Sequence, residues 1–232
     1  MRTNLAYLVA GCLGLLLLSV DPTFSSQKKS TDSWTSEFQV APGELTATGR
    51  NPYFILEPGH RSEFQDGKDK LVITVLNETR TVAGVETRVV EERETSDGKP
   101  VEVSRNYFAI SKRTGDVYYF GEDVDIYKDG KVANHEGAWL AGINGARFGL
   151  AMPANPVIKS KYYQEQAQGK AMDRAEVISL SENVKTAAGT FAKCLKTRET
   201  TPLEPGASEY KYYAPGVGLV QDDTMKLISY SK

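Results

Sequence analysis

From Lys70 to Tyr230 the chain alternates apolar and polar residues with a period of two, and turn-forming residues interrupt it every ~8–12 residues. That pattern suits strands, whose successive side chains point to opposite faces, and does not suit helices, whose period is 3.6. Residues 71–76 are apolar and β-branched, and Thr81-Val82-Ala83-Gly84-Val85 reads as a tight turn into 86–93. Asp97-Gly98 and Asp129-Gly130 are hairpin signals, and Thr114-Gly115-Asp116 is a further turn. Between them lie strand candidates at 101–110, 117–120 and 123–127. Later candidates are 157–166, 175–180, 191–200, 209–214, 218–221 and 225–230. The fold class read from this is all-β: an antiparallel meander of roughly ten strands forming a strongly curved sheet or barrel. Only residues 164–174 leave room for a short helix, and they lack an apolar stripe.

The N-terminal segment has a different character. Arg2 precedes an almost uncharged apolar run over 5–20, and small polar residues follow at Thr23 and Ser25. A positive start, an apolar run and small residues near a cleavage point describe an export signal. The expected organisation is a signal at 1–25, a flexible Ser/Thr/Gln/Lys-rich tether at 26–50 and one β-rich domain at 51–232. The protein is expected to be exported to the periplasm or cell exterior. Val9-Ala10-Gly11-Cys12 reads like a lipoprotein cleavage box, which would make Cys12 a lipidated N-terminus. Against it, the apolar run continues well past Cys12, which fits cleavage after Ser25. An uncleaved anchor is the third reading. Contact with a membrane is expected only through this segment, because no later apolar run is long enough to span one.

Charge and cysteine usage narrow the function. The formal net charge is -2, and the signal removes one charge of each sign, Arg2 and Asp21. Nucleic-acid binding needs a clustered excess of Lys and Arg, so it is not expected. The two cysteines are Cys12 and Cys194, so no disulfide framework is available to the domain. Burial alone has to stabilise it.

Several motifs carry a resemblance. These are Asn51-Pro52-Tyr53-Phe54, Tyr119-Phe120-Gly121-Glu122, Glu136-Gly137-Ala138-Trp139-Leu140-Ala141-Gly142, Thr201-Pro202-Leu203-Glu204-Pro205-Gly206 and Lys211-Tyr212-Tyr213-Ala214-Pro215-Gly216-Val217-Gly218. Over residues 51–220 the chain resembles a widespread family of uncharacterised secreted bacterial proteins. It departs from that pattern at Lys159-Ser160-Lys161, where a glycine is expected, and at Met172, where an acid is expected. The resemblance implies export, a bacterial source and a β-rich domain, and no catalytic residues. More distantly, Tyr213-Ala214-Pro215-Gly216-Val217-Gly218 resembles the curved β-sheet carriers of lipids and lipoproteins in the bacterial envelope.

Candidate chemistry is sparse. Glu122, Asp123, Asp125 and Glu136 lie close in sequence, with Asp129 and His135 nearby, and could offer oxygen ligands to a hard cation such as Ca2+. Their spacing is not that of an EF-hand loop, and hairpin turns with a solvated strand edge are the simpler reading. With only His60 and His135 available, a transition-metal site is not expected. Cys194 and His135 are the one conceivable thiol–imidazole pair, and an inert core thiol is the simpler reading. Lys193 and Lys196 flank that cysteine. No Gly-x-Ser-x-Gly elbow is present. Gly142, Gly145 and Gly149 are not followed by the Lys-Ser/Thr of a phosphate loop, so 142–156 reads as a long loop forming a lid or rim. No cofactor motif is present, and no cofactor is expected.

The 12 tyrosines are the remaining signal, concentrated at Tyr118-Tyr119, Tyr162-Tyr163 and Tyr210-Lys211-Tyr212-Tyr213. Adjacent tyrosines on a strand face opposite sides, so each pair sends one ring inward. Tyr118, Phe120, Trp139, Tyr163 and Tyr212 are the expected lining of a cavity for a small or lipidic ligand, the alternative being ordinary core packing. The expected function is a non-catalytic ligand-binding or partner-binding domain, an envelope protein being the other kind of partner. The rivals are a carboxylate-dependent hydrolase of envelope polymers using two of Glu122, Glu136, Glu165 and Asp173, and a Ca2+-stabilised structural module.

Overall fold

The computed structural model describes residues 33–231. The signal segment and Cys12 lie outside them. In chain order the first strands are β1 (Leu45–Thr46), β2 (Gly49–Asn51), β3 (Phe54–Leu56), β4 (Arg61–Asp66), β5 (Asp69–Val82) and β6 (Val85–Ser96). β7 (Lys99–Ser111), β8 (Val117–Lys128), β9 (Lys131–Asn134), β10 (Trp139–Leu140), β11 (Arg147–Met152) and β12 (Lys161–Tyr163) follow. The last are β13 (Glu165–Gln166), β14 (Arg174–Thr186), β15 (Gly189–Thr200), β16 (Glu209–Ala214), β17 (Gly218–Asp222) and β18 (Met225–Tyr230). The protein is all-β, as the alternation requires.

The meander runs once around a barrel. β4 to β8 are neighbours in order, β11 and β13 follow, β12 pairs with β14, and β14 to β18 continue until β18 pairs back with β4. Every one of these ladders is antiparallel. Tight turns enforce the register. Asp97-Gly98 and Asp129-Gly130 each place two successive residues at positive φ (51° and 75°; 52° and 74°), the geometry a two-residue hairpin needs.

The sheet is nearly closed, and its seam lies between β12 and β13, which adjoin in sequence. β12 pairs with β14 on one side and β13 with β11 on the other. Gly149 of β11 makes that closure feasible, because a Cβ there would lie 2.3 Å from the Gln164 carbonyl oxygen. This corrects two expectations. The lid-like loop at 142–156 contains β11, since Gly149 serves a close backbone approach and does not break the strand. Residues 164–174 hold β13 and turns, not a helix.

Of the tether expected at 26–50, the part from Thr35 onward is docked on the barrel. Thr35 bridges to Tyr162, donating its N–H to the Lys161 carbonyl at 2.9 Å and accepting from the Tyr163 N–H at 2.9 Å. Phe38 packs on Tyr118 and Phe148, with ring centroids 6.1 and 6.5 Å away. β1 pairs with β7, and the buried Arg88 donates to the Ala47 carbonyl at 2.9 Å and the Thr48 hydroxyl at 2.7 Å. Polar composition masked these contacts, because anchoring runs through backbone groups and a few rings. Separately, β2 and β3 form a two-stranded hairpin outside the main sheet. Asn51 pins it to the barrel by donating to the Gly115 carbonyl at 2.8 Å, and shapes the hairpin turn by accepting the Tyr53 N–H at 2.8 Å.

Candidate functional site

A cavity of about 280 Å³ lies within the barrel. Strand alternation sets its walls. From β4 and β5 come Phe64, Ile73 and Val75, and the β3 region adds Phe54 and Ile55, giving an apolar side. Along β6 and β7 the inward positions change character, from Val90 to Glu92 and from Phe108 through Asn106 and Ser104 to Glu102. Glu122, Glu165, Asp173, Glu199 and Asp222 extend the polar wall, so seven carboxyl groups face one cavity.

Lys211 is the one lysine or arginine lining it, among the described residues. Its Nζ lies 3.2 Å from Glu199, 3.5 Å from Asp222 and 3.3 Å from Glu209. Burial opposes its charge, and the attraction of Glu199 and Asp222 outweighs burial, holding the ammonium well above the ordinary lysine range. Glu199 is further held by Tyr213, whose hydroxyl donates at 3.4 Å, and by the Gln164 amide at 3.2 Å. Among the described residues, Glu92, Glu122 and Glu165 have no ion pair of this kind. Burial pushes Glu92 up to about 7 and Glu122 up to about 8, Glu122 also through repulsion by Glu92. Glu165 is driven well above its ordinary value by burial and by Glu122, and Asp173 is raised by burial. Asp222 rises only to about 6, because Lys211 offsets part of its burial.

A bulge brings Glu122 to this wall. Tyr119 faces the cavity, and strict alternation would put Gly121 inward and Glu122 outward. The β7–β8 register shifts between Asn106 and Phe108, and Gly121 takes φ 129° with its backbone against Trp139 and Leu140. The bulge re-aims the next side chain into the barrel. Glu122 also borders a second cavity of about 250 Å³, lined by Trp139, Leu140, Ile143, Asn144 and Lys170. The expected rim loop thus contributes at residues 143–146, beside this second space.

The aromatic residues expected to line the ligand site are mostly on the wrong face of their strands. Tyr119 and Tyr213 line the cavity, while Tyr118 and Tyr212 do not. Tyr118 and Phe120 point outward, into a ring cluster with Phe38 and Phe148. Tyr212 lies beside Lys196, and Tyr163 packs on Trp34. Trp139 borders only the second cavity, and its buried Nε1–H finds no acceptor. Alternation requires one inward ring per pair and is silent on which.

The expected cation cluster is dispersed by the same alternation. Glu122 faces inward, Asp123 faces outward to Arg80 and Tyr107, Asp125 meets His135 at 2.9 Å, and Glu136 is exposed. Among the described residues no three carboxylate, imidazole or thiol groups are placed to share one ion. Cys194 is fully buried beside Phe64, Val184 and Leu227, with its thiol raised by burial, whereas His135 is exposed. Of the four acids expected for a hydrolase, Glu122, Glu165 and Asp173 meet at one wall and Glu136 does not. Glu92, Glu199, Lys211 and Asp222 escape sequence reasoning, because charged residues at alternate strand positions read as a solvated face. Comparison with known proteins returns no match: no family model, curated protein or solved structure is similar to the chain.

Proposed function

We propose that the protein is an exported, envelope-associated binding module that holds one small amphiphilic molecule inside its barrel. The observation that carries this reading is the two-sided cavity, apolar at Phe54, Ile73 and Phe108 and hydrogen-bonding at Glu92, Asn106 and Tyr119. Binding sites for small molecules are mostly apolar concavities with a few convergent polar groups, and the mouths and interiors of barrels are a common place for them. The signal-like apolar run over residues 5–20 and the resemblance to secreted bacterial proteins support an envelope location for such a module. Mass spectrometry of the intact protein from its own host tests both halves. A small molecule retained at one per chain, and lost in Val90→Phe, is expected. Its absence together with no saturable uptake of octanol would sink the reading. The same spectrum reports whether Cys12 carries lipid.

One observation favours a second reading. Glu122 and Glu165 share a wall, and burial and repulsion by neighbouring carboxyls raise both above the ordinary carboxylate range, as in acid–base carboxyls. A hydrolase here would cleave an ester or glycosidic bond presented to that wall. Turnover of such substrates that disappears in Glu122→Gln would establish catalysis.

A further inference from the structure

We propose that the molecule held in the barrel is an amphiphilic amine, its ammonium group received by Glu92, Glu122 and Glu165 and its apolar body lying against Phe54, Ile73 and Phe108. The assignment rests on the binding reading above and specifies its ligand class.

Charge accounting points this way. Seven carboxyls face the cavity and one lysine answers them, and that lysine is already engaged by Glu199, Asp222 and Glu209. Among the described residues, Glu92, Glu122 and Glu165 have no ion pair with a basic side chain. They lie around Tyr119, whose hydroxyl feels all three and donates to Asn106. Enclosed carboxyls without counter-ions oppose folding, and an all-apolar wall would be more stable. A bound cation removes that cost. A metal is the poorer candidate, because no three of the acids are placed to share one. An ammonium group needs only acceptors spread over several ångströms around it.

A second observation concerns Gln164 on the same wall. Its amide donates to Glu199, and its Oε1 is buried with no donor. The wall therefore holds surplus acceptors of both kinds, charged and neutral, and the complementary ligand supplies N–H groups. Size sets the body. At ~30 Å³ for each water-sized group, a volume of about 280 Å³ takes roughly nine such groups. An eight-carbon chain with one polar atom fits that limit.

Isothermal titration calorimetry of the full-length protein with octylammonium, 1-octanol and octanoate at pH 8.5 tests the assignment. At that pH a primary amine, with a pKa near that of lysine at ~10.4, stays charged. Octylammonium is expected to bind at one per chain, about tenfold or more tighter than octanol, with octanoate undetectable. Glu92→Gln and Glu165→Gln should each weaken octylammonium about tenfold and leave octanol within about twofold. Glu204→Gln, on the exposed surface, should change neither. Thermal midpoints on the same samples report folding. Octanol or octanoate binding as tightly as octylammonium, or Gln variants that bind octylammonium unchanged, would overturn the amine and leave the binding module standing. Failure of all three to saturate would overturn both.

Discussion

Replacing Glu92 by Gln should stabilise the protein at alkaline pH and do almost nothing at acid pH. Burial raises the Glu92 carboxyl from 4.5 to about 7. Between those values the folded protein binds a proton that the unfolded chain has released, so stability falls as pH rises. Each pH unit of that interval is worth about 1.4 kcal/mol, so the folded state loses up to about 3 kcal/mol between pH 4.5 and pH 7. Below 4.5 both states hold the proton and nothing is lost. Gln keeps the shape and never ionises, so the variant escapes the loss. In a chain of this size about 1 kcal/mol moves the melting midpoint by roughly 2–4 °C, giving a rise of about 6–12 °C at pH 8. Urea unfolding and calorimetry at pH 4.5 and pH 8 measure it. A Glu92→Gln protein that is less stable at pH 8 would mean that Glu92 is ionised and paired, one shifted equally at both pH values would mean that its ionisation carries no cost, and either would refute this account of the wall. Glu122, raised from 4.5 to about 8, and Asp222, raised from 3.8 to about 6, extend the same slope over the range from about pH 4 to about pH 8.

Lys211→Met leaves Glu199 and Asp222 without their cation and should cost about 3–5 kcal/mol at pH 8 by urea unfolding. The cost should shrink at pH 5, where Asp222 is protonated. Gly149→Ala places a methyl against the Gln164 and Tyr163 carbonyls and should cost about 1–3 kcal/mol, while Gly43→Ala, with nothing within 4 Å, should be near neutral; equal effects would deny the tight seam. Cys194 should resist a thiol reagent in the folded protein and react on unfolding in urea, because its thiol is fully buried and its pKa raised; rapid labelling of native protein would contradict both.

Much of the barrel was legible in the chain. Strands β16 and β18 coincide with the runs at 209–214 and 225–230, and the Asp97-Gly98 and Asp129-Gly130 turns sit where the dipeptides put them. Those features depend on side-chain period and backbone conformation at single residues, which are local. β11 was hidden because Gly149 reads as a loop residue until its partner strand is known. The segment at 35–50 was hidden because it docks through carbonyls and amides that composition does not display.

The site was legible only in part. Glu122, Glu165 and Asp173 were candidates for chemistry, whereas Glu92, Glu199, Lys211 and Asp222 looked like solvent-facing positions. By itself the sequence determined that the chain forms antiparallel strands with two distinct faces, joined by tight turns. Tertiary structure decided which face encloses the cavity. It did so through ring closure between β18 and β4, which puts polar positions inside, and through the Gly121 bulge, which turns Glu122 inward. Alternation carries the difference between faces but no sign. The sign comes from closure, a relation between residues more than a hundred positions apart, and only there do isolated carboxyls become one wall.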